Sequence, residues 1–268
     1  MLALLSYYEV AGGEKYLDVV KQLGEWVAIN CTDEKIPKGY TGGYEGWEAS
    51  SKNPSGQKKL TYKATEHNID LYSAFNRLYR ITKDEKWHQR AEFAKGFVLA
   101  MWDDKDGKFW TGSNEDGISI NKDNVPVDIQ AWAVEALFSD NRKYWEGLKY
   151  AEKHHEVSGG FDFNEDKDGI WYEGTGQMAV AYCITGQSDK WRKVLNILKD
   201  GQHLSGALPS ASLAKLTTGF NLPNSTKPWL YFDREHVGAS AWFALAQYGL
   251  NPFYIMQPGK QKINCVGL

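Results

Sequence analysis

The chain has 268 residues, of which 42% are hydrophobic, 24% charged and 14% aromatic, with a formal net charge of −3. That charge argues against nucleic acid or an anionic membrane as the main partner, because both bind basic faces. The three cysteines are widely spaced and form no CxxC pair, so the sequence predicts no cysteine-bound metal. Aromatic residues are more numerous than a helical core needs, and we expect some of them to face a ligand.

The first residues of the chain are apolar but have the features of a helix rather than of a signal peptide. No basic residue precedes them, and they run into Tyr7, Tyr8 and Glu9. Nowhere does the sequence reach the roughly 18 apolar residues that a membrane span requires. The sequence therefore leaves localisation open, because an export signal could lie in a segment before it.

Four segments of the chain repeat one plan, in which an apolar helix ends, a short polar turn follows and a second helix begins. Each second helix has an aromatic anchor followed by apolar residues four and seven positions later, which is one stripe of an amphipathic helix. Each first helix is apolar on nearly all sides, which is typical of a helix buried all round. The anchors of the second helices are Tyr16, Trp87, Tyr144 and Trp191.

Apolar inner helices alternating with amphipathic outer helices predict an all-α fold, an α/α toroid of the six-hairpin barrel type. The inner helices should begin near residues 1, 65, 126, 175 and 236, and the first lacks its start. We therefore expect that an N-terminal hairpin is absent. A toroid domain is expected over residues 1–254, followed by a C-terminal tail over 255–268.

Long connections are expected between each outer helix and the next inner helix, with short β-hairpins at one mouth of the toroid. The motif Asp-Lys-Asp-Gly occurs twice, at 104–107 and 166–169, and indicates hairpin turns. Counted from Asn164, the second copy has the spacing of half a calcium loop, but its twelfth position is Thr175 where a glutamate is required. The sequence thus predicts neither a metal nor a cofactor.

The starts of the inner helices should share one mouth, with their positive dipole ends and N–H groups directed into it. Carboxylates, imidazoles, amides and flat aromatic rings at these starts and in the neighbouring loops suit a polyhydroxylated ring, which is bound by stacking and hydrogen bonds. The expected substrate-binding residues are Tyr44, Trp47, His67, Asn68, Trp110, Trp171, Tyr172, Gln177, Trp229, Arg234 and His236.

In hairpin periodicity and in the placement of these motifs, nearly the whole chain resembles the six-hairpin glycosidase-like superfamily. These (α/α)6 barrels include many glycoside hydrolases and the sugar 2-epimerases. The resemblance implies a saccharide in the mouth and catalytic carboxylates or histidines on the inner-helix starts. Here Glu66, Asp128, Glu173 and Glu235 match such positions, as do His67 and His236. The chain departs from the pattern in having five inner helices.

We expect a carbohydrate-active enzyme that acts on an oligo- or polysaccharide, most simply a glycoside hydrolase with paired carboxylates. Glu173 or Glu66 would be the general acid, and Asp128 the base or nucleophile. Two alternatives stay open, a sugar epimerase or isomerase using histidine as acid and base, and a non-catalytic glycan-binding toroid. Asp128 could equally be a first-turn helix acid without a catalytic role. Glu66, Asp128, Glu173 and His236 are expected to line a single pocket.

Overall fold

The structure is a computed structural model that describes residues 1–47, 49, 54, 56–137, 140–222 and 225–254. Over these residues it contains nine α-helices and a short 3-10 helix at Arg142–Trp145, which confirms the predicted all-α class. The helices are α1 (Leu2–Ala11), α2 (Glu14–Asn30), α3 (Thr65–Thr82), α4 (Glu85–Ala100), α5 (Val127–Leu137), α6 (Glu146–His154), α7 (Tyr172–Ile184), α8 (Ser188–Asp200) and α9 (Val237–Tyr248). The expected tail over 255–268 lies outside the described residues.

Strands occur only between an even-numbered helix and the next odd-numbered one within the described chain, as the sequence predicts. Five antiparallel ribbons are β1 (Thr32–Asp33) with β2 (Gly39–Tyr40), β3 (Gly43–Glu45) with β4 (Lys58–Leu60), β7 (Gly112–Ser113) with β8 (Ile120–Asn121), β9 (Glu156–Val157) with β10 (Gly160–Phe161), and β11 (Leu216–Asn221) with β12 (Pro228–Tyr231). Two further short strands are β5 (Trp102–Asp103) and β6 (Lys108–Phe109). The long connections are therefore built from short strands and turns.

The turns inside the hairpins follow from local residue chemistry. Between α3 and α4, Lys83 adopts the left-handed conformation with φ 58°, and the Asp84 carboxylate accepts a hydrogen bond from the Lys86 amide. These two features end one helix and cap the next. Glycines with positive φ also form the turn between α1 and α2, at Gly12 and Gly13, and the turn between α7 and α8, at Gly186. Short, well-capped turns make the helices of each pair antiparallel neighbours.

The described residues form two compact units, the first comprising residues 1–102, 110–122 and 253–254 and the second 103–109 and 123–252. In the first unit, α1 packs against α2 and α3, and α3 against α4. Its core contains the parallel rings of Phe75 and Trp87, whose centroids are 5.8 Å apart. Leu5 is fully buried, whereas Leu2 and Leu4 are half-buried.

In the second unit, α7 is the central helix and packs against α5, α8 and α9. Ten of the eleven residues of α5 are buried, and α7 buries eleven of its thirteen, as expected for inner helices. Outer helix α8 instead buries one stripe that contains Trp191, Leu195 and Leu198. None of the described helices is long and apolar enough to cross a membrane.

Candidate functional site

The start of α7 is held in place by backbone hydrogen bonds to two loops. Trp171 precedes the helix, and its amide donates a hydrogen bond to the Phe161 carbonyl at 2.8 Å. The Tyr172 amide donates to the Ser210 carbonyl at 3.1 Å, so two loops fix the point at which the helix begins. Glu173 then lies in the first turn, where the helix dipole favours a negative charge. The helix begins three residues before the predicted start near 175, and Glu173 is therefore a helical residue.

Glu173 lies beside His236, the residue that caps α9. Glu173 Oε2 is 3.5 Å from His236 Nδ1, and the same nitrogen accepts a hydrogen bond from the Ala239 amide at 3.2 Å. Burial lowers the pKa of His236. Gly238 makes room for this contact, because an ideal Cβ there would lie 2.5 Å from Glu173 Oε2. The result is a carboxyl group held 3.5 Å from an imidazole nitrogen, and both groups are able to carry a proton.

Gln177 lies one turn after Glu173 on the same face of α7. Its side chain is fully buried, and neither its amide nitrogen nor its amide oxygen has a hydrogen-bond partner in the structure. Burying an unpaired amide costs about 1–3 kcal/mol, so buried amides are nearly always paired. Gln177 therefore offers a donor and an acceptor for a polar ligand at this place.

A cluster of aromatic rings surrounds the start of α7. The rings of Trp171 and Tyr231 are stacked, with centroids 5.5 Å apart and planes 22° apart, and Phe163 meets Trp171 edge-on at 4.9 Å. Tyr231 also lies 6.4 Å from Trp229 and 6.4 Å from the His236 ring. The indole Nε1 of Trp171 is buried without a hydrogen-bond partner. Flat apolar faces next to unpaired polar atoms are the surface that a sugar ring requires.

Asp128 occupies the first turn of α5 and is buried. Its Oδ1 accepts a hydrogen bond from the next amide, that of Ile129, at 2.7 Å. The preceding residue, Val127, donates its amide to the Phe163 carbonyl at 2.9 Å, which ties the start of α5 to the aromatic cluster. Since α5 packs against α7, Asp128 and Glu173 belong to adjacent inner helices of one unit.

Three other residues predicted in this unit pack inside it or lie on its surface. The ring of Tyr172 fills the space at Gly201, where an added Cβ would come within 2.3 Å of it, so Tyr172 packs against the end of α8. Arg234 is exposed, and its guanidinium lies 5.2 Å from the Phe232 ring centroid. Glu235 is also exposed and accepts a hydrogen bond from the Ser205 hydroxyl at 2.5 Å. We leave these residues out of the proposed site.

The first unit has a carboxyl pair of its own on α3, formed by Glu66 and Asp70. Burial and the negative charge of Glu66 raise the pKa of Asp70 to about 7. Residues four apart share a helix face, so Asp70 could have been found from the position of Glu66, but the sequence analysis missed it. The Thr65 hydroxyl donates to the Trp110 carbonyl at 2.6 Å, which places Trp110 at the start of the same helix. His67 is half-buried there.

The remaining predicted residues of the first unit differ in exposure. Asn68 is fully buried, and its amide bonds to both the N–H and the carbonyl of Tyr40, so it holds the backbone rather than a ligand. Tyr44 on β3 lies 6.0 Å from the Trp26 ring and is partly exposed. Trp47 is 81% exposed. That Glu66 and the loop aromatics share a pocket with Asp128, Glu173 and His236 stays a prediction.

Comparison with known proteins gives matches at the level of structure. No protein-family model and no curated protein matches the chain. A possible GH105 family member from Salmonella enterica has a TM-score of 0.67 at 13% identity, over 92% of this chain and 69% of that one. Cellobiose 2-epimerase from Bacillus thermoamylovorans has a TM-score of 0.62 at 18% identity, over 91% and 68%. A family 76 glycoside hydrolase (mannosidase) from Bacteroides thetaiotaomicron has 0.59 at 12%, over 92% and 67%.

These similarities identify the fold. All three proteins have the six-hairpin glycosidase-like fold, and each match extends over more than nine tenths of this chain. The α/α toroid class predicted from the hairpin repeat is therefore confirmed.

Proposed function

We propose that the protein is a carbohydrate-active enzyme whose reaction takes place at the start of α7. The observation that supports this best is the combination of Glu173, His236 and the unpaired Gln177 amide beside the stacked rings of Trp171 and Tyr231. Proteins similar in fold include glycoside hydrolases, sugar epimerases and a polysaccharide lyase. Their names point to saccharides as the substrate class.

Glycoside hydrolysis is the reaction that we favour. Glu173 would protonate the glycosidic oxygen as general acid. The partly exposed rings of Tyr231 and Trp229 would stack on a sugar ring, with the buried Trp171 packed behind Tyr231. A second carboxylate of the same unit, Asp128, would activate water or attack the anomeric carbon. Carboxyl groups about 6.5–9.5 Å apart leave room for that water and invert the anomeric configuration, whereas about 5 Å favours a covalent intermediate and retention.

Glu173→Gln tests this assignment. An amide keeps the shape of the side chain but cannot donate the proton, so turnover should fall about 10²–10⁴-fold while glycan binding is kept. Glu235→Gln is the matched control, because Glu235 is an exposed acid directly before His236. Turnover is measured as new reducing ends from a panel that includes cellobiose and mannan oligosaccharides, and binding by calorimetry. Equal turnover in wild type and Glu173→Gln would remove Glu173 from the mechanism, and wild-type binding without turnover would favour a glycan-binding toroid.

Sugar epimerisation is the second candidate, and the position of His236 beside Glu173 favours it. His236 Nδ1 would give up its hydrogen bond from the Ala239 amide and take the proton from the carbon next to the carbonyl of an opened reducing sugar, and an acid would return a proton to the opposite face. No water is consumed, and in D₂O deuterium appears at that carbon. His236→Asn should abolish this exchange while keeping α9 capped, because asparagine is a good N-cap. Exchange at the wild-type rate in this variant would exclude His236 as the base.

A further inference from the structure

The loop between β10 and α7 gathers three aspartates, Asp162, Asp166 and Asp168. One carboxylate oxygen of each lies within 4.8 Å of the others. Asp162 is fully buried, while the other two are exposed. Calcium binds oxygen at about 2.3–2.6 Å, so two ligands on opposite sides of one ion are separated by about 5 Å. The spacing of the three carboxylates is therefore that of ligands around a single calcium ion.

Asn164 supplies an independent observation at the same place. Its side chain is only 6% exposed, and its Oδ1 has no hydrogen-bond partner. Its Nδ2 lies 3.2 Å from Asp166 Oδ2, so the amide group is directed at the aspartates. Amide oxygen and nitrogen exchange places on a half-turn of the group. After that turn a buried, unpaired oxygen would join the carboxylates, and amide oxygens are calcium ligands.

The partners of the three carboxylates in the described chain leave their negative charge without a paired cation. Asp162 accepts from the Phe163 and Asp168 amides, Asp166 from the Thr217 hydroxyl and the Asn164 amide, and Asp168 from the Thr217 amide. Lys167, the basic residue inside the loop, turns away and donates to the Lys153 carbonyl at 2.9 Å. Three carboxylates so close together repel one another unless a cation lies between them or two of them share a proton, and Asp162 and Asp166 are hydrogen-bonded to each other.

The spacing along the chain also fits. Counted from Asp162, the four residues occupy positions one, three, five and seven of a calcium loop. Position six, which normally needs a glycine, is Lys167 with φ 58°, the conformation that glycine usually supplies. The expectation of no metal rested on counting from Asn164. Position twelve from Asp162 is Glu173, whose carboxylate lies against His236 instead, so this loop differs from the helix-loop-helix type at its last ligand.

We propose that Asp162, Asn164, Asp166 and Asp168 bind one Ca²⁺ ion. An all-oxygen set with three carboxylates suits calcium and excludes metals that prefer nitrogen or sulfur. The ion would fix Phe163, which lies between two of its ligands and packs on Trp171, and would hold Thr217 of β11 against the same loop. The bound ion is a structural element that keeps the aromatic cluster in place.

The test is calorimetric titration of the chelator-treated protein with CaCl₂, with thermal unfolding in parallel. We expect one Ca²⁺ per chain, a higher Tm in CaCl₂ than in equimolar MgCl₂, and at least a tenfold weaker affinity in Asp166→Asn. Asp104→Asn is the matched control, because Asp104 opens the other Asp-Lys-Asp-Gly copy and pairs with Lys143 on the surface. This variant should bind Ca²⁺ like wild type.

A second variant, Asp168→Asn, covers the case in which Asp166→Asn does not fold, since Asp168 is exposed and receives only amide hydrogen bonds. It too should lose Ca²⁺ affinity at least tenfold while keeping the helical circular dichroism of wild type. A wild-type protein that shows neither heat nor a Tm change with millimolar CaCl₂ would overturn the proposal. So would equal Ca²⁺ affinity in wild type and Asp168→Asn, or an equal loss in Asp104→Asn.

Discussion

The buried carboxyl group of Glu135 should make the stability of the protein depend on pH. It lies in α5 with both carboxyl oxygens buried and without hydrogen-bond partners, and burial raises its pKa well above the ordinary value. As pH rises above that ordinary value, the unfolded chain releases the proton while the folded chain keeps it. Stability is therefore lost with rising pH until the raised folded-state pKa is reached.

Glu135→Gln should remove this loss, because an amide has no proton to release. At pH 7 we expect a gain on the order of 1 kcal/mol, or roughly 2–4 °C in Tm for a protein of this size. Below the ordinary carboxyl pKa the variant and wild type should be nearly equal. Glu146→Gln, an exposed acid on α6, is the control. Thermal melts between pH 4 and 8 measure the difference, and parallel curves for wild type and Glu135→Gln would contradict the argument.

Gly238 controls the position of the Glu173 carboxylate. An alanine methyl group at this position would lie 2.5 Å from Glu173 Oε2, and the flexible carboxyl end would move to avoid it. We expect Gly238→Ala to reduce turnover by about tenfold or more through misplacement of the acid, since small shifts of catalytic groups are costly. Alanine is also the better helix former, by roughly 0.5–1 kcal/mol, so Tm should be unchanged or higher.

Gly96→Ala is the control for this substitution, because Gly96 is a helical glycine in α4 with open space at its Cβ position. It should share the stability effect and keep full turnover. If both variants lose turnover, or if neither does, the position of the Glu173 carboxylate does not control catalysis.

The sequence singled out residues at the starts of inner helices, and the structure brings three of them, Trp171, Glu173 and His236, to the start of α7. That they form a catalytic site stays a prediction. Tyr231 and Phe163 were missed as site residues, because a strand pairing and a loop path bring them to Trp171, and no local period encodes either. Asn68 shows the opposite error, since its position at a helix start was visible but its hydrogen bonds to Tyr40 were not.

Among the elements, α7 packs closely against α9 because position 176 is a glycine and has no side chain. An added Cβ at Gly176 would lie 2.8 Å from Trp242 Cβ and 3.1 Å from the Trp242 carbonyl carbon, so α9 could make room only by moving its backbone. We expect Gly176→Ala to destabilise the protein by about 1–3 kcal/mol despite the better helix propensity of alanine. Urea unfolding measures it, with Gly96→Ala as the reference. A variant as stable as that reference would show that α7 and α9 are less tightly packed than the structure indicates.

The helices themselves were predictable, because a stripe with period 3.6 on outer helices and apolar surfaces on inner ones can be counted along the chain. The residues at which the helices start were harder to predict. The predicted start of α7 near 175 missed Tyr172 to Gly174, because backbone hydrogen bonds to Phe161 and Ser210 fix an earlier start of the helix. The sequence predicted that the long connections contain β-ribbons. It did not predict which residues pair in them, because the register depends on partners that are distant in sequence.

At the scale of the whole molecule, fold and activity were unequally predictable. Repetition of one hairpin plan determines the fold class, and similarity to solved structures over 92% of the chain confirms it at 13% identity. Activity depends on a few side chains, and one fold accommodates hydrolases, epimerases and a lyase. Under the proposed function, the choice among these reactions would depend on single atoms such as a proton on Glu173, which no pattern in the sequence reports.

The three residues from Phe161 to Phe163 bear on the stereochemistry that the proposed glycoside hydrolysis would have. The Phe161 carbonyl receives the amide that begins α7, and the Phe163 carbonyl receives the amide of Val127 at the start of α5. Through these hydrogen bonds, the tripeptide connects the starts of the two helices that carry Asp128 and Glu173. Neither helix start can shift without lengthening one of the bonds. The separation of the two helix starts is accordingly fixed by the backbone. If Asp128 and Glu173 form the proposed carboxyl pair, changes in the outer loops would alter which sugar is bound and leave the anomeric configuration of the product unchanged.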